Sequence, residues 1–126
     1  MKGLIALPVA VLMGVSFQAS ALCLNVSESF SGVIAPGIEE TAHGPFTITS
    51  SNGCSGANID ALVSPGGAGR GPMISIERES GGGWSKVATS IGSSVSYVGS
   101  YGTYRVRLEN TEAASKTYSG NVRYGR

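Results

Sequence analysis

Downstream of residue 21 the chain alternates apolar and polar residues at a period of two. Turn residues break the pattern about every 8–12 positions, the spacing of an all-β sandwich or barrel. Phe30-Ser31-Gly32-Val33-Ile34 puts Phe30 and Ile34 on one face, and Phe46-Thr47-Ile48-Thr49 repeats the pattern. Asn58–Val63 groups Ile59, Ala61 and Val63, and Met73–Glu79 turns Ile74 and Ile76 inward with Ser75, Glu77 and Glu79 outward. Ser80-Gly81-Gly82-Gly83 predicts a hairpin joining Met73–Glu79 to Trp84–Ser90. Ser94–Val98 follows as a short strand. In Thr103–Glu109, Tyr104, Val106 and Leu108 face the core while Arg105, Arg107 and Glu109 face water. Thr117–Tyr124 sets Tyr118, Val122 and Tyr124 against Ser119, Asn121 and Arg123, and the polar turn before it predicts that these last two strands pair antiparallel. No stretch holds a helical period for three turns. The expected fold is an all-β, antiparallel β-sandwich of jelly-roll or Ig-like type, a single domain over 22–126.

Residues 1–21 read differently. Lys2, the apolar run Leu4–Val15 and the small residues Ala19-Ser20-Ala21 have the order of a secretory signal peptide with its cleavage site. The run is shorter than the roughly 20 residues a membrane-spanning helix needs, so no span is expected once the leader is removed. Leu22 before Cys23 does not suit lipoprotein processing. An exported chain with two cysteines predicts one disulfide, Cys23–Cys54. The Ser, Asn and Gly residues around Cys54 lack the electropositive or His-rich surroundings of a reactive or metal-binding thiol. The expected address is the periplasm or the exterior.

The 126 residues carry nine Lys and Arg against eight Asp and Glu, a formal charge of +1. Nucleic-acid binding needs clustered excess base to displace counterions, and this balance excludes it. Lys2 belongs to the leader, so the mature domain is neutral. Its acids concentrate in 22–80 and its bases in 101–126, an asymmetry that a folded sheet can satisfy internally. One His and two Cys exclude a zinc site built from those residues alone. Glu28, Glu39, Glu40 and Asp60 lack an Asp-x-Asp spacing, so neither metal nor cofactor is expected. The glycine-rich stretch Ser64–Pro72 leads into a strand, whereas a phosphate-binding loop opens a helix.

Catalysis finds little support. There is no Gly-x-Ser-x-Gly elbow, and His43 falls in an Ala42-His43-Gly44-Pro45 turn beside no nucleophile. Glu77 and Glu79 share a strand face about 7 Å apart, a separation seen in glycosidase pairs. Outward carboxylates on a strand read better as an ion-pair ladder, with Arg105, Arg107 and Arg123 as partners. Asn25-Val26-Ser27 is a glycosylation sequon only in a eukaryotic secretory pathway.

Two segments carry a family resemblance. Phe30-Ser31-Gly32-Val33-Ile34 followed by Pro36-Gly37 resembles the F-x-G-x-L-x-x-G opening of bacterial pre-peptidase C-terminal domains. Gly102–Leu108 and Ser115–Val122 resemble their closing G-T-Y-x-V-x-V and S-x-x-Y-x-L-x-V strands. The likeness spans about residues 28–124 and implies a β-sandwich of the kind appended to secreted hydrolases, with relatives that bind collagen or polysaccharide. Pro72-Met73-Ile74-Ser75-Ile76 stands where those domains carry an Asp-rich segment, so no calcium role is implied.

Flat aromatic rings stack on sugars and bury area at low entropic cost, which makes Trp84, Tyr97 and Tyr101 the candidate ligand contacts, with core packing as the default reading of each. Tyr101, between Ser100 and Gly102, is expected to be the most exposed. The outward Arg105, Arg107 and Arg123 add a polar face. These residues predict a small secreted, non-catalytic binding module for a glycan or protein ligand. The alternative is a structural surface, filament or matrix protein that self-associates through strand edges.

Overall fold

The computed structural model describes residues 23–51, 53–67, 69–91 and 93–125. The leader assigned to 1–21 lies outside the described residues. Eight strands run in chain order: β1 (Asn25–Ile34), β2 (Glu39–Ile48), β3 (Ala57–Pro65), β4 (Met73–Ser80), β5 (Gly83–Ile91), β6 (Ser94–Gly99), β7 (Gly102–Glu109) and β8 (Lys116–Gly125). They form two four-stranded antiparallel sheets, ordered β1-β8-β3-β6 and β2-β7-β4-β5. This interleaving is that of a jelly roll, which decides between the two sandwich types the alternation allows.

The period-two pattern locates the core. Ile59, Ala61 and Val63 of β3, Ile74 and Ile76 of β4, and Tyr104, Val106 and Leu108 of β7 are all buried between the sheets. Phe46 and Tyr124 stack there with centroids 4.0 Å apart. Gly120 leaves room for the Phe30 ring of the neighbouring strand; a Cβ at that position would strike the ring and the Leu62 carbonyl. The β4–β5 hairpin turns at Gly81 and Gly82, both at positive φ, as the glycine run predicts.

The pairing of the last two strands is corrected. β7 lies between β2 and β4, and β8 lies between β1 and β3 in the other sheet. Alternation tells which face of a strand is buried and says nothing of which strand lies beside it. The segment between them is a crossover pinned by Asn110, which is 1% exposed. Its Nδ2 donates to the carbonyls of Ile34 (3.0 Å) and Ala114 (2.8 Å), and its Oδ1 accepts from the Glu112 amide (3.0 Å).

His43 is also corrected, from a turn to a half-buried position within β2. Two register shifts between Thr41 and Phe46, around a cis Gly44–Pro45 bond, turn its ring toward Phe46 (5.5 Å) and Tyr124 (6.1 Å). Cys23 and Cys54 form the expected disulfide across a separation of 31 residues. It sits beside the last residue of β8, where a Cβ on Gly125 would meet both sulfurs.

Candidate functional site

The outer face of the β2-β7-β4-β5 sheet holds most of the charge anticipated for binding, and that charge is spent internally. Glu77 on β4 lies between Arg105 on β7 and Lys86 on β5 in register. Its Oε1 accepts from Arg105 Nε at 2.8 Å, with Nη2 at 2.7 Å. Arg107 donates to Thr41 Oγ1 (2.9 Å) and Glu39 Oε1 (3.2 Å). Lys86 reaches over the two central strands to Glu39 Oε2 at 2.9 Å. A register shift in the β4–β5 ladder keeps both Lys86 and Thr89 on this face, so that Thr89 can meet Ser75 at 3.2 Å.

Two expectations change as a result. Ser75 and Glu77 point outward but are 2% and 6% exposed, because the Lys86–Glu39 strap and the arginine stems cover them. Arg123 cannot join this ladder, since it lies on the opposite sheet.

The strap sets a pH dependence. The hydrogen bond from Lys86 holds the Glu39 carboxyl below its usual value of 4.5, and Glu39 holds the Lys86 ammonium above 10.5. For Glu39 the folded value is depressed, so its contribution is present above pH 4.5 and lost as pH falls through the lower folded value. For Lys86 the contribution is complete below pH 10.5 and lost as pH rises beyond it. Both groups are partly solvated, so the effect is small. Urea midpoints at pH 7 and pH 3 should therefore fall further for the wild type than for Lys86→Ala; equal falls would contradict the strap.

The residues expected to form one aromatic and basic site are dispersed. Trp84 covers the Arg105 guanidinium, with Cζ 4.2 Å from the ring centroid, so it packs on the ladder. Tyr97 points inward, the core position that is its default reading: it pairs with Ile59 and its ring lies 5.8 Å from Tyr104. Tyr101 is 39% exposed at the β6–β7 turn, as expected of it. There its hydroxyl donates to the Cys54 carbonyl (2.5 Å) and its carbonyl accepts from Arg78 (3.2 Å). Arg123 stands alone of the six on the outer face of the β1-β8-β3-β6 sheet.

That second face is open. Ser27, Ser29 and Ser31 of β1, Ser119, Asn121 and Arg123 of β8, Asn58, Asp60, Leu62 and Ser64 of β3, and Ser94 and Ser96 of β6 alternate with the core residues of their strands. Three shallow depressions of about 780, 410 and 270 Å³ lie along it. The first and second share Leu62 and Asn121, and the second and third share Asp60 and Arg123, so they join into one groove. From Asn58 to Ser64 it runs about 20 Å at roughly 3.4 Å per residue.

Its polar groups are mostly hydroxyls and amides, and Phe30, Ala42 and Leu62 line its wider end. Asp60 accepts a 2.6 Å hydrogen bond from Ser96, and Asn121 donates to Ser27 at 2.9 Å. Arg123 faces Asp60 across the strands, yet its exposed guanidinium has no ion-pair or hydrogen-bond partner among the described residues. In the sequence Asp60 stands out only as a carboxylate weighed for calcium and Asn121 only as an outward residue, and nothing there marks Asn58 or Ser96. The available signal was their position between core residues on strands of the same sheet, and that required the strand order. Among the described residues no three His, Cys, Asp or Glu side chains converge on a metal position.

The fold and its two faces define a disulfide-linked jelly-roll domain with one self-neutralised sheet and one open polar groove. No protein-family model matches the chain. Curated proteins show no significant similarity to it. Among solved structures, the Yersinia pseudotuberculosis-derived mitogen is similar with a TM-score of 0.56 and 14% identity, over 79% of this chain and 86% of that one. This likeness is one of fold. A structure of Bacillus endospore appendages, described as disulfide-linked pili, aligns over 85% of this chain and 93% of that one at 18% identity, with a TM-score of only 0.36.

Proposed function

We propose that the chain is a secreted, non-catalytic binding module that holds a glycan along the groove of the β1-β8-β3-β6 sheet. The continuity of the three depressions across β8 and β3 carries this reading. An extended ligand fits an open trough better than a small molecule, which needs an enclosed pocket. Sugar hydroxyls both donate and accept, and Ser, Asn and Asp side chains match them in kind. Arg123 supplies a planar, always-charged donor fork without a competing partner among the described residues, and exposed Leu62 offers an apolar patch for a ring face. A protein ligand would favour apolar anchor pockets, and the apolar lining of Phe30, Ala42 and Leu62 is confined to one end of the groove, whose other end is Asn25, Asn58, Asp60 and Arg123. The disulfide and the leader-like residues 1–21 accord with an oxidising, exported destination.

The mature domain should retain a subset of oligosaccharides on a glycan array, followed by titration of the best binder. Arg123→Ala should weaken that binding by about tenfold or more, the loss of one charge-assisted hydrogen bond. Trp84→Ala should leave it unchanged. An array without binders, or binding that depends on Trp84 and not on Arg123, would overturn the groove.

A further inference from the structure

The two sheets end in four edge strands, and three of them are protected. A sheet edge presents unpaired backbone groups that template another strand unless it is short, bulged, or blocked by Pro or Lys. β2 has two register shifts and Pro45 within it. β5 has a register shift in its ladder with β4 and carries Lys86 at its middle. β6 is only six residues long. β1 differs: ten residues pair with β8 in unbroken register, with neither Pro nor Lys among them. Phe30, near its centre, packs on Tyr118 at 6.2 Å and is only partly buried.

We propose that β1 pairs antiparallel with β1 of a second copy of this chain, across a two-fold axis at Phe30. The strand is self-complementary in that register. Phe30 meets its own counterpart, Val26 lies opposite Ile34, and Ser29 lies opposite Ser31. Core-side residues thus meet core-side residues, and outer-face residues meet outer-face residues, as sheet pairing requires. Glu28 is a core-side charge of the kind that deters edge pairing. Here it falls opposite Gly32, which leaves it space and keeps the two Glu28 carboxylates apart. An isologous contact of this kind closes as a dimer. It joins the two β1-β8-β3-β6 sheets into one of eight strands and continues the Ser-rich outer face from copy to copy. The pairing stands on the backbone and register of β1 alone, independently of what the groove binds.

Sedimentation equilibrium of the mature domain should show a monomer–dimer equilibrium, and Phe30→Lys should raise its dissociation constant by about tenfold or more. A second measurement keeps Phe30 intact. Both native cysteines are in the disulfide, so Ser29→Cys and Ser31→Cys introduce the available thiols. A mixture of the two variants should cross-link under mild oxidation far better than either alone, because like positions sit a diagonal step apart, beyond disulfide reach. A monomer at every concentration overturns the proposal. So does equal cross-linking of Ser29→Cys with itself, which would mean another register. Protection of β1 amides from hydrogen exchange only when an unrelated protein is added would also overturn it, in favour of a foreign strand.

Discussion

Replacing Cys23 and Cys54 together by alanine is expected to lower the unfolding free energy by about 3–4 kcal/mol, the chain-entropy value for a closed loop of this length. The bond spans 31 residues and encloses all of β1 and β2, so cutting it releases a large part of the unfolded chain. Domains of this size are stable by about 5–15 kcal/mol in total, which makes the loss a substantial fraction. A urea titration should show it as a lower midpoint, and thermal unfolding as a fall of roughly 15 °C or more. The folded state also changes locally. The sulfurs press on Gly125 at the end of β8, and the Cys54 carbonyl accepts from Tyr101. Asn25 and Asn58 at that end border the groove, so fraying there should also weaken the glycan binding proposed for it. An unchanged midpoint would mean that the sheet pairings at this end hold without the covalent link.

Much of the fold is legible because burial imposes a period. Every core-side residue singled out in β3, β4, β7 and β8 is buried, since each strand has one face between the sheets. Neighbourhood has no such signature. The strands carrying Tyr104 and Tyr118 alternate equally cleanly, and only the buried amide of Asn110, wedged between three backbone partners, reveals a crossover rather than a hairpin. In sequence Asn110 looks like any polar turn residue. The same limit governs the site. Aromatics in turns and short strands can stack on a ligand or pack internally, and Trp84 and Tyr97 each have a partner in three dimensions that no spacing encodes: a guanidinium for one and a core tyrosine for the other. Arg123 remained available because the topology sent β8 to the sheet that lacks Glu39 and Glu77.

That separation of the arginines also explains why one sheet face is closed and the other open. On the β2-β7-β4-β5 sheet two arginines and a lysine share two carboxylates, and the network leaves little for a ligand without breaking an ion pair. On the β1-β8-β3-β6 sheet one arginine faces one aspartate that already holds a serine. The recognition proposed for the second face would therefore start from groups whose hydrogen-bonding capacity is largely exposed to water, which a ligand could replace at modest cost.

Glu77→Ala is expected to destabilise the fold by about 2–4 kcal/mol, below the upper range for breaking a buried pair because the guanidinium groups retain some solvent. Glu77 is the buried anion of the ladder, with a side chain 8% exposed against 21% and 20% for Arg105 and Arg107. Its removal leaves two cations side by side on β7 with Glu39 as the nearest remaining carboxylate for Arg107 alone. Arg107 Nε already lacks a hydrogen-bond partner and lies 3.9 Å from Glu77, so it has little reserve. Arg105 would keep only the Trp84 ring, an attraction of about 0.5–1 kcal/mol at a partly solvated site. Lys86→Ala, by contrast, breaks an exposed bridge and should cost about 0–1 kcal/mol. Replacing Glu77, Arg105 and Arg107 together by apolar residues of similar volume should restore most of the loss, since no stranded charge remains. Chemical denaturation of the three variants decides the matter. If Glu77→Ala costs no more than Lys86→Ala, the ladder is surface decoration and the closed character of that face has another origin.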